Sequence, residues 1–331
     1  MEQVARPSLQ ELRDAAERIQ DVVVHTPLVP LHDHQSTSDI LLKPETHQAV
    51  ASFKLRGIFN AVACLTEQER QRGLSTVSAG NTAQALAWTA RYFGVSARSL
   101  MPDTAPRSKI DAVRAYGATP ILVPVADLFR YLREHGWESE PYTYIDPWTN
   151  QNVLTGHGSI GLEILADSPD VESVFVSVGG GGLIAGVGSA LKALKTPVRL
   201  IGVEPAGCPS LHASFEAGKP VSVECHTICD GVAVPYITEE MYPLLRELVD
   251  EVVLVSETDV KRAIRRLALE DKLVVEGAGA LPVAAALAMP KEKRGRSVAV
   301  VSGGNIDPEK LTAILNDPTL DSSAANESEG R

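Results

Sequence analysis

The spacing of apolar positions along the chain predicts alternating helices and strands. An amphipathic helix is predicted from Ser8, because Ser8 and Glu11 stand at the spacing of a capping box and apolar residues follow at helical intervals. Short apolar runs bounded by polar residues predict strands at 40–43, 74–78, 96–101, 120–123, 173–178, 198–203, 252–255 and 298–302. Helical patterns lie between them at 81–92, before Gly117, at 127–134 and at 183–194. This alternation predicts right-handed βαβ crossovers and parallel sheets.

One segment interrupts the alternation. Residues 140–152 are rich in Pro, Tyr, Trp and Asn, and we interpret them as the return connection between two α/β lobes. The residues after Pro318 are small, polar and acidic, and can bury too little surface to offset the entropy of ordering them. A chain of 331 residues with 44% hydrophobic residues can fill one large domain or two closely associated ones.

Charge and hydropathy narrow the range of partners. The net charge is −11 and both signs are interspersed along the chain, so a nucleic acid would meet net repulsion and is not an expected partner. No apolar run approaches the ~20 residues of a membrane span, and the amino terminus does not resemble an export signal. We therefore expect a cytoplasmic protein with no membrane partner.

The chain has four cysteines, too few for a disulfide scaffold at this length, which favours a reducing compartment. Cys225, His226 and Cys229 form a cluster, but a second ligand pair at zinc-site spacing is missing. We expect all the cysteines to be ordinary packing residues.

The glycine run 179–182 is the most specific local motif. It follows the predicted strand that ends at Val178 and precedes the helical pattern that begins at Leu183. Consecutive glycines allow several N–H groups to point at one anion, and the helix adds its positive end, so a phosphate is expected. The run lacks the Gly-Lys-Ser/Thr ending of a P-loop and the acidic residue of a dinucleotide fingerprint. Alternatively, the glycines only permit close packing of helix on sheet.

Lys54 lies between the apolar residues Phe53 and Leu55 at the start of a helical pattern. Apolar surroundings disfavour the ammonium form, so a neutral, nucleophilic amine suited to a Schiff base becomes accessible. The alternative is a lysine whose amine simply reaches solvent.

Several motifs resemble, in order, those of the fold-type II pyridoxal-phosphate enzymes, especially the threonine and serine dehydratases and serine racemase. Residues 52–57 (SFKLRG), with Glu45 and Gln48, resemble the cofactor-lysine motif, and residues 78–81 (SAGN) the substrate-carboxylate loop. The glycine run resembles the phosphate loop, and residues 301–305 (VSGGN) the carboxy-terminal cofactor motif. Further matches are at 156–163, 202–205, 230–233 and 276–280, and together they cover residues 8 to 316.

The resemblance implies an α/β fold of the tryptophan synthase β type, with two lobes that each hold a mostly parallel sheet flanked by helices. Residues 1–58 and 146–316 are then the large cofactor-binding domain, residues 59–145 a small mobile domain, and residues 317–331 a flexible tail. A homodimer is also implied.

The resemblance assigns Lys54 as the catalytic residue that binds pyridoxal 5'-phosphate through a Schiff base. The cofactor-binding residues that it implies are Phe53, Asn81, Gly179, Gly180, Gly181, Gly182, Leu183, Gly231, Glu276 and Ser302. The substrate-binding residues that it implies are Ser78, Ala79, Gly80, Asn81 and Thr82.

The implied reaction is β-elimination of water from a small β-hydroxy amino acid such as threonine or serine, which yields a 2-oxo acid and ammonia. Ser302 would face the pyridine nitrogen, and a hydroxyl cannot keep that nitrogen protonated as a carboxylate would, so elimination is favoured over transamination. The segment 147–155, with Trp148 and Asn150, is expected to form part of the pocket wall. It does not distinguish threonine or serine from a less common substrate such as 3-hydroxyaspartate or a hydroxyectoine-pathway intermediate.

Some positions depart from the family pattern. Ala51 replaces a usual glycine, so the loop must accept a Cβ. Ala79 lacks the hydroxyl that racemases of the family use as an acid, which disfavours racemisation. Thr82 replaces the histidine common in the dehydratases and resembles the threonine in the equivalent loop of the cysteine synthases. β-Replacement is therefore an alternative reaction.

Two more family features are not expected in this chain. Ser210 stands where the family's cation site has a carboxylate, so we expect no essential metal. At this length, we also do not expect the regulatory domain that biosynthetic threonine dehydratases carry. A different class of function, binding of a phosphorylated ligand without turnover, remains open.

Overall fold

A computed structural model describes residues 3–33 and 38–321, and within this part of the chain the strands form two separate sheets. The strands of the larger sheet are β1 (Val29–Pro30), β2 (Ile40–Pro44), β7 (Ser173–Ser177), β8 (Arg199–Pro205), β9 (Glu251–Val255) and β10 (Ser297–Val301). The strands of the smaller sheet are β3 (Leu74–Val77), β4 (Ala97–Pro102), β5 (Thr119–Val123) and β6 (Thr143–Tyr144).

The larger sheet has the order β1-β2-β10-β7-β8-β9 and is parallel except for the edge strand β1. Its central register aligns Ser297 of β10 with Ile40 of β2 on one side and with Ser173 of β7 on the other. Every residue of β2, β7 and β10 is buried, as expected for parallel strands covered by helices on both faces.

The helices of the larger lobe occupy both faces of its sheet. They are α1 (Leu9–Ile19), α2 (Lys54–Ala63), α7 (Gln151–His157), α8 (Ser159–Asp167), α9 (Gly182–Ala193), α10 (Ser210–Ala217), α11 (Tyr242–Leu248), α12 (Glu257–Leu269), α13 (Gly277–Ala288), α14 (Lys291–Arg294) and α15 (Pro308–Leu315). One apolar cluster includes residues of α12 and α13, and a second, across the sheet, includes residues of α8, α9 and α11.

The smaller sheet is parallel and has the order β5-β4-β3-β6. Its helices are α3 (Glu67–Gln71), α4 (Asn81–Phe93), α5 (Arg107–Ala115) and α6 (Val125–Arg133). A third apolar cluster joins β3, β4, α4 and α5 to α2, where Ile58 and Val62 are fully buried. α2 therefore packs with the smaller lobe, while its first residue, Lys54, follows directly on the chain of the larger lobe.

The predicted fold class is confirmed, and each predicted strand is found within about two residues of its expected position. The connection at 140–152 is more ordered than predicted: β6 pairs with β3 there, and α7 begins at Gln151. The sequence did not reveal β1 and β6, because strands of two residues carry no periodic signal.

Two other sequence predictions are wrong. The flexible tail cannot begin at residue 317, because Pro318–Asp321 form a 3₁₀ helix and Leu320 is buried in an apolar cluster. The remaining residues of that tail, 322–331, lie outside the described part of the chain. Cys208 and Cys225 are not ordinary packing residues, since they form a disulfide that joins the segments before and after α10. Cys64 and Cys229 are free.

Across the described ranges, no helix is both long enough and apolar enough to cross a bilayer.

Candidate active site

The loop before α2 fixes the position of Lys54. Ala51 has a φ of +52°, in the left-handed region, which turns the chain sharply. Ser52 then forms an isolated bridge with Gly303, and the Phe53 N–H donates a 3.0 Å hydrogen bond to the Ser302 carbonyl. The end of β10 therefore holds this loop, and Lys54 opens the helix at the cavity between the lobes.

The surroundings of Lys54 favour a neutral amine. Burial lowers the pKa of Lys54 to about 8, although the carboxylates of Glu276 and Asp146 partly oppose this effect. Its Nζ lies 4.8 Å from the centroid of the Phe53 ring. Phe53 in turn packs edge-on against His157 at a centroid distance of 4.7 Å. Burial, followed by the charges of Lys54 and Arg56, lowers the pKa of His157, so this ring is neutral and adds no competing charge.

A buried ion network supports the first turn of α2. Arg56 donates two hydrogen bonds to Glu45, of 2.7 and 2.9 Å, and two to Glu163, of 2.6 and 2.9 Å. Lys43 donates to the same Glu163 and to the Thr26 carbonyl at 2.5 and 2.6 Å. Burial opposes the charge on Arg56, but the two carboxylates outweigh it and raise the pKa of the guanidinium. The network holds α2 against β2 and α8 two residues from Lys54.

The glycine run forms an open cradle at the start of α9. Gly181 has a φ of +93°, which favours glycine, and α9 begins at Gly182 without a side-chain cap. A Cβ on Gly180 would stand 2.5 Å from Cδ1 of Trp148, and one on Gly179 would stand 3.0 Å from the Cα of Val232. The backbone N–H groups of this loop and helix terminus are therefore exposed to the cavity without side chains in between, which suits a phosphate.

A second helix terminus faces the same cavity. The Ser99 hydroxyl donates to the Ser78 carbonyl at 2.7 Å, and the Gly80 N–H donates to the Ser78 hydroxyl at 3.2 Å. α4 then begins at Asn81, and no side chain caps its first turn. A substrate carboxylate can accept hydrogen bonds from such free N–H groups. The positive end of the helix also stabilises its negative charge.

Asn81 and Glu276 connect the two lobes inside the cavity. Nδ2 of Asn81 donates a 2.6 Å hydrogen bond to Oε1 of Glu276, and Asn305 donates to Oδ1 of Asn81 at 2.8 Å. Burial raises the pKa of Glu276. Gly231 lies beside the same carboxylate, since a Cβ on it would stand 3.3 Å from Oε1.

All the site residues predicted from the sequence line one cavity of about 1370 Å³. Ser302 lies at the end of β10, and its hydroxyl is 3.5 Å from that of Ser177. These residues fit pyridoxal 5'-phosphate: they offer a lysine amine of lowered pKa, an aromatic ring beside it, a glycine cradle for a phosphate and a hydroxyl for a ring nitrogen.

Several cavity residues were not predicted from the sequence, among them Tyr144, Asp146 and Tyr236. Each stands outside any chemical motif, so only the tertiary structure reveals them. The expected pocket wall at 147–155 is partly wrong. Pro147, Trp148, Thr149 and Gln151 line the cavity, whereas the Asn150 side chain caps α7 by accepting from the backbone N–H groups of Asn152 and Val153.

The residues at the family's cation site form hydrogen bonds with one another. Glu204 accepts hydrogen bonds from the backbone N–H groups of Leu211 and His212 at 2.7 and 2.8 Å, and from the Ser210 hydroxyl at 3.2 Å. Burial raises the pKa of Glu204 to about 7. Its oxygens therefore serve the first turn of α10.

Comparison of the sequence with known protein families identifies the family of this chain. Residues 19–303 match the sequence profile described as pyridoxal-phosphate dependent enzyme. The chain therefore belongs to the pyridoxal-phosphate dependent enzymes, and pyridoxal 5'-phosphate is its cofactor.

Individual relatives narrow the comparison. The chain is 39% identical to an L-threonine ammonia-lyase of Thermotoga maritima, over 93% of this chain and 78% of the relative. It is 37% identical to the catabolic L-threonine dehydratase TdcB of Staphylococcus aureus, over 93% of this chain and 92% of the relative.

Solved structures agree with this likeness. The processed form of threonine deaminase isoform 2 from Solanum lycopersicum superposes with a TM-score of 0.85 at 34% identity and covers 95% of this chain and 91% of its own. Maize serine racemase superposes with a TM-score of 0.85 at 30% identity and covers 93% and 96%, respectively. The fold is that of the fold-type II enzymes of this family.

Proposed function

We propose that this enzyme removes water from a small β-hydroxy amino acid, such as threonine or serine, and releases a 2-oxo acid and ammonia. The observation that carries the proposal is the placement of the Lys54 amine and the uncapped start of α4 on one cavity. Such an arrangement can hold a substrate carboxylate while a base removes the proton from the neighbouring carbon. The relatives named threonine ammonia-lyase and threonine dehydratase support the same reaction.

When bound, pyridoxal 5'-phosphate supplies the electron sink for negative charge at the substrate Cα. The residues of the chain position the reactants around it. Residues 179–182 and the start of α9 hold the phosphate, and residues 78–82 hold the substrate carboxylate. Lys54, freed by the incoming amino acid, accepts the Cα proton at Nζ. With a pKa of about 8, its amine has a substantial neutral fraction near neutral pH.

Two residues direct the outcome toward elimination, and a third is oriented toward the cofactor. Ser302 would offer a hydroxyl and not a carboxylate to the ring nitrogen of the bound cofactor, which favours elimination over transamination. Ala79 provides no acid for the opposite face of the substrate, which disfavours racemisation. Asn81 is held between Glu276 and Asn305, so its amide is available only in one orientation to the bound cofactor.

The lobes are proposed to close on the substrate. We take residues 59–145 as the small mobile domain, and residues 1–58 and 146–316 as the large cofactor-binding domain. Closure would exclude water from the reacting centre. A homodimer and a cytoplasmic location are also proposed, both on the family resemblance.

β-Replacement is the second candidate, and Thr82 is the observation that favours it, because the cysteine synthases carry threonine in the equivalent loop. The two reactions give different products from one substrate. Holoenzyme with threonine or serine should accumulate 2-oxo acid at the same rate with and without sulfide. Accumulation of a thiol amino acid in place of the 2-oxo acid would overturn the elimination reaction.

A second experiment tests the enzyme class. Borohydride should fix the cofactor on the peptide that carries Lys54, as detected by mass spectrometry, and Lys54→Ala should lose both this adduct and 2-oxo acid formation. Lys109→Ala removes another lysine of the same cavity and should keep the adduct. An unchanged Lys54→Ala protein would identify a ligand-binding protein without this chemistry.

A further inference from the structure

One wall of the cavity combines a carboxylate with aromatic rings. Asp146 lies two residues after the end of β6, and Tyr144, Trp148 and Tyr236 line the same cavity. The Trp148 and Tyr236 rings meet nearly at right angles with centroids 6.2 Å apart. Trp148 also packs on Gly180 of the phosphate cradle. This wall therefore lies next to the cofactor site.

Asp146 is held by its own turn. One oxygen accepts from the backbone N–H groups of Trp148 and Thr149 at 2.7 and 3.2 Å, and the other accepts from the Thr149 hydroxyl at 2.9 Å. These three bonds orient the carboxylate but leave part of its acceptor capacity free, since an ionised carboxylate offers about four lone-pair positions.

Asp146 has no salt-bridge partner in the described part of the chain, although its charge acts on the amine of Lys54. Among residues 3–33 and 38–321, no lysine or arginine forms an ion pair with it. Lys109, which also lines the cavity, instead pairs with Asp230 at 2.9 Å. The negative charge acts on its neighbours: burial, and then Asp146, raise the pKa values of the Tyr144 and Tyr236 phenols. Asp146 also counters part of the effect of burial on Lys54, which places its charge close to the reacting centre.

A threonine or serine side chain can at most donate a hydroxyl hydrogen bond to this carboxylate, because it carries no charge to pair with it. A cationic ligand would gain a charged hydrogen bond to the remaining acceptor positions of Asp146 and contacts with the faces of the aromatic rings. The cavity volume, about 1370 Å³, leaves room for a substrate longer than threonine beside the cofactor.

We propose that Asp146, Tyr144, Trp148 and Tyr236 form a subsite for a positively charged side chain. The preferred substrate is then a β-hydroxy amino acid that carries a cationic nitrogen beyond its β-carbon. This inference rests on the proposed function, because it assigns the side-chain end of the same substrate.

The test compares two amino acids of equal shape that lack a β-leaving group, L-2,4-diaminobutyrate and L-norvaline. Their binding to the holoenzyme is measured by calorimetry. The ammonium form of diaminobutyrate should bind roughly tenfold or more tightly than norvaline, the range for a hydrogen bond to a charged group. Asp146→Asn should remove this preference and leave norvaline binding unchanged, because Asn can still accept the two backbone N–H bonds of the turn.

Glu239→Gln is the matched control, since Glu239 also lines the cavity and the substitution removes the same charge. It should keep the preference. Equal binding of the two amino acids by the wild-type enzyme, or equal loss of preference in both variants, would overturn the subsite. The proposed function is judged separately by 2-oxo acid formation from threonine and serine. Turnover of these without any cation preference would remove the subsite alone, and no turnover of any β-hydroxy amino acid would remove the function.

Discussion

Nδ2 of Asn81 donates a 2.6 Å hydrogen bond to Oε1 of Glu276, and this bond connects the first residue of α4 in the smaller lobe with the residue that precedes α13 in the larger lobe. Both side chains line the cavity. Of the two carboxylates that raise the pKa of Lys54, Glu276 has the larger effect. The bond therefore links the relative position of the lobes to the electrostatics of the site.

Asn81→Ala should lower the free energy of unfolding. The substitution leaves a half-buried carboxylate oxygen without its donor, and such a loss costs about 1 kcal/mol. Urea unfolding of the holoenzyme measures the change. Asn316→Ala removes an exposed asparagine that bonds only within its own helix end, and it should stay within about 0.5 kcal/mol of wild type. Equal stability of the two variants would show that the bond between the lobes contributes nothing.

Ala51→Gly should stabilise the protein. Ala51 has a φ of +52°, and a non-glycine residue in the left-handed region is unfavourable by about 1–2 kcal/mol. Relief of this strain exceeds the added entropy of glycine in the unfolded chain, which is of order 0.5–1 kcal/mol. The net gain should be up to about 1 kcal/mol, as a rise in the thermal midpoint. Ala61→Gly, in the middle of α2, should lower that midpoint, and a fall in both variants would contradict the assigned strain.

Arg56→Met should be severely destabilising. It leaves Glu45 and Glu163 with fewer donors in the interior, and removal of one partner of a buried ion pair costs about 3–5 kcal/mol. Arg107→Met removes an exposed arginine paired with Asp111, for which about 0–1 kcal/mol is expected. Urea unfolding compares the two variants. A loss at Arg56 no larger than that at Arg107 would show that the network does not support α2.

The extent to which the sequence predicts this molecule depends on the range of each interaction. The residues 52–57 identify Lys54 because the motif is local, and Glu45 is found with it because it stands only 11 positions from Arg56. Glu163, which completes the network, ends the matched segment 156–163, but it is 107 positions from Arg56 and nothing local indicates that the two meet. Asp146 and Tyr236 meet only through the tertiary fold. The strain at Ala51 is indicated only by the glycine that is usual at this position in the family, because alanine by itself does not indicate a positive φ.

The disulfide shows the same limit, since Cys208 and Cys225 are 17 positions apart without a recognisable spacing. When the protein is denatured without a reductant, two thiols should react, those of Cys64 and Cys229. After reduction, four thiols should react. Closing a loop of this length is expected to contribute about 3 kcal/mol. Peptide mapping under non-reducing conditions should find the linked pair. Four thiols before reduction would show that Cys208 and Cys225 remain free in the purified protein.

The pKa of Lys54 predicts how the apoenzyme takes up its cofactor. Only the neutral amine can attack the aldehyde of pyridoxal 5'-phosphate, and burial lowers the pKa of Lys54 to about 8 from the 10.5 of an ordinary lysine. The rate of attachment, followed by visible absorbance, should therefore rise with pH through about 8 and level off above it. Glu276→Gln removes a carboxylate that stabilises the ammonium form, so the midpoint should move to lower pH. A midpoint that stays near 10.5 would show that the amine of Lys54 is exposed to water.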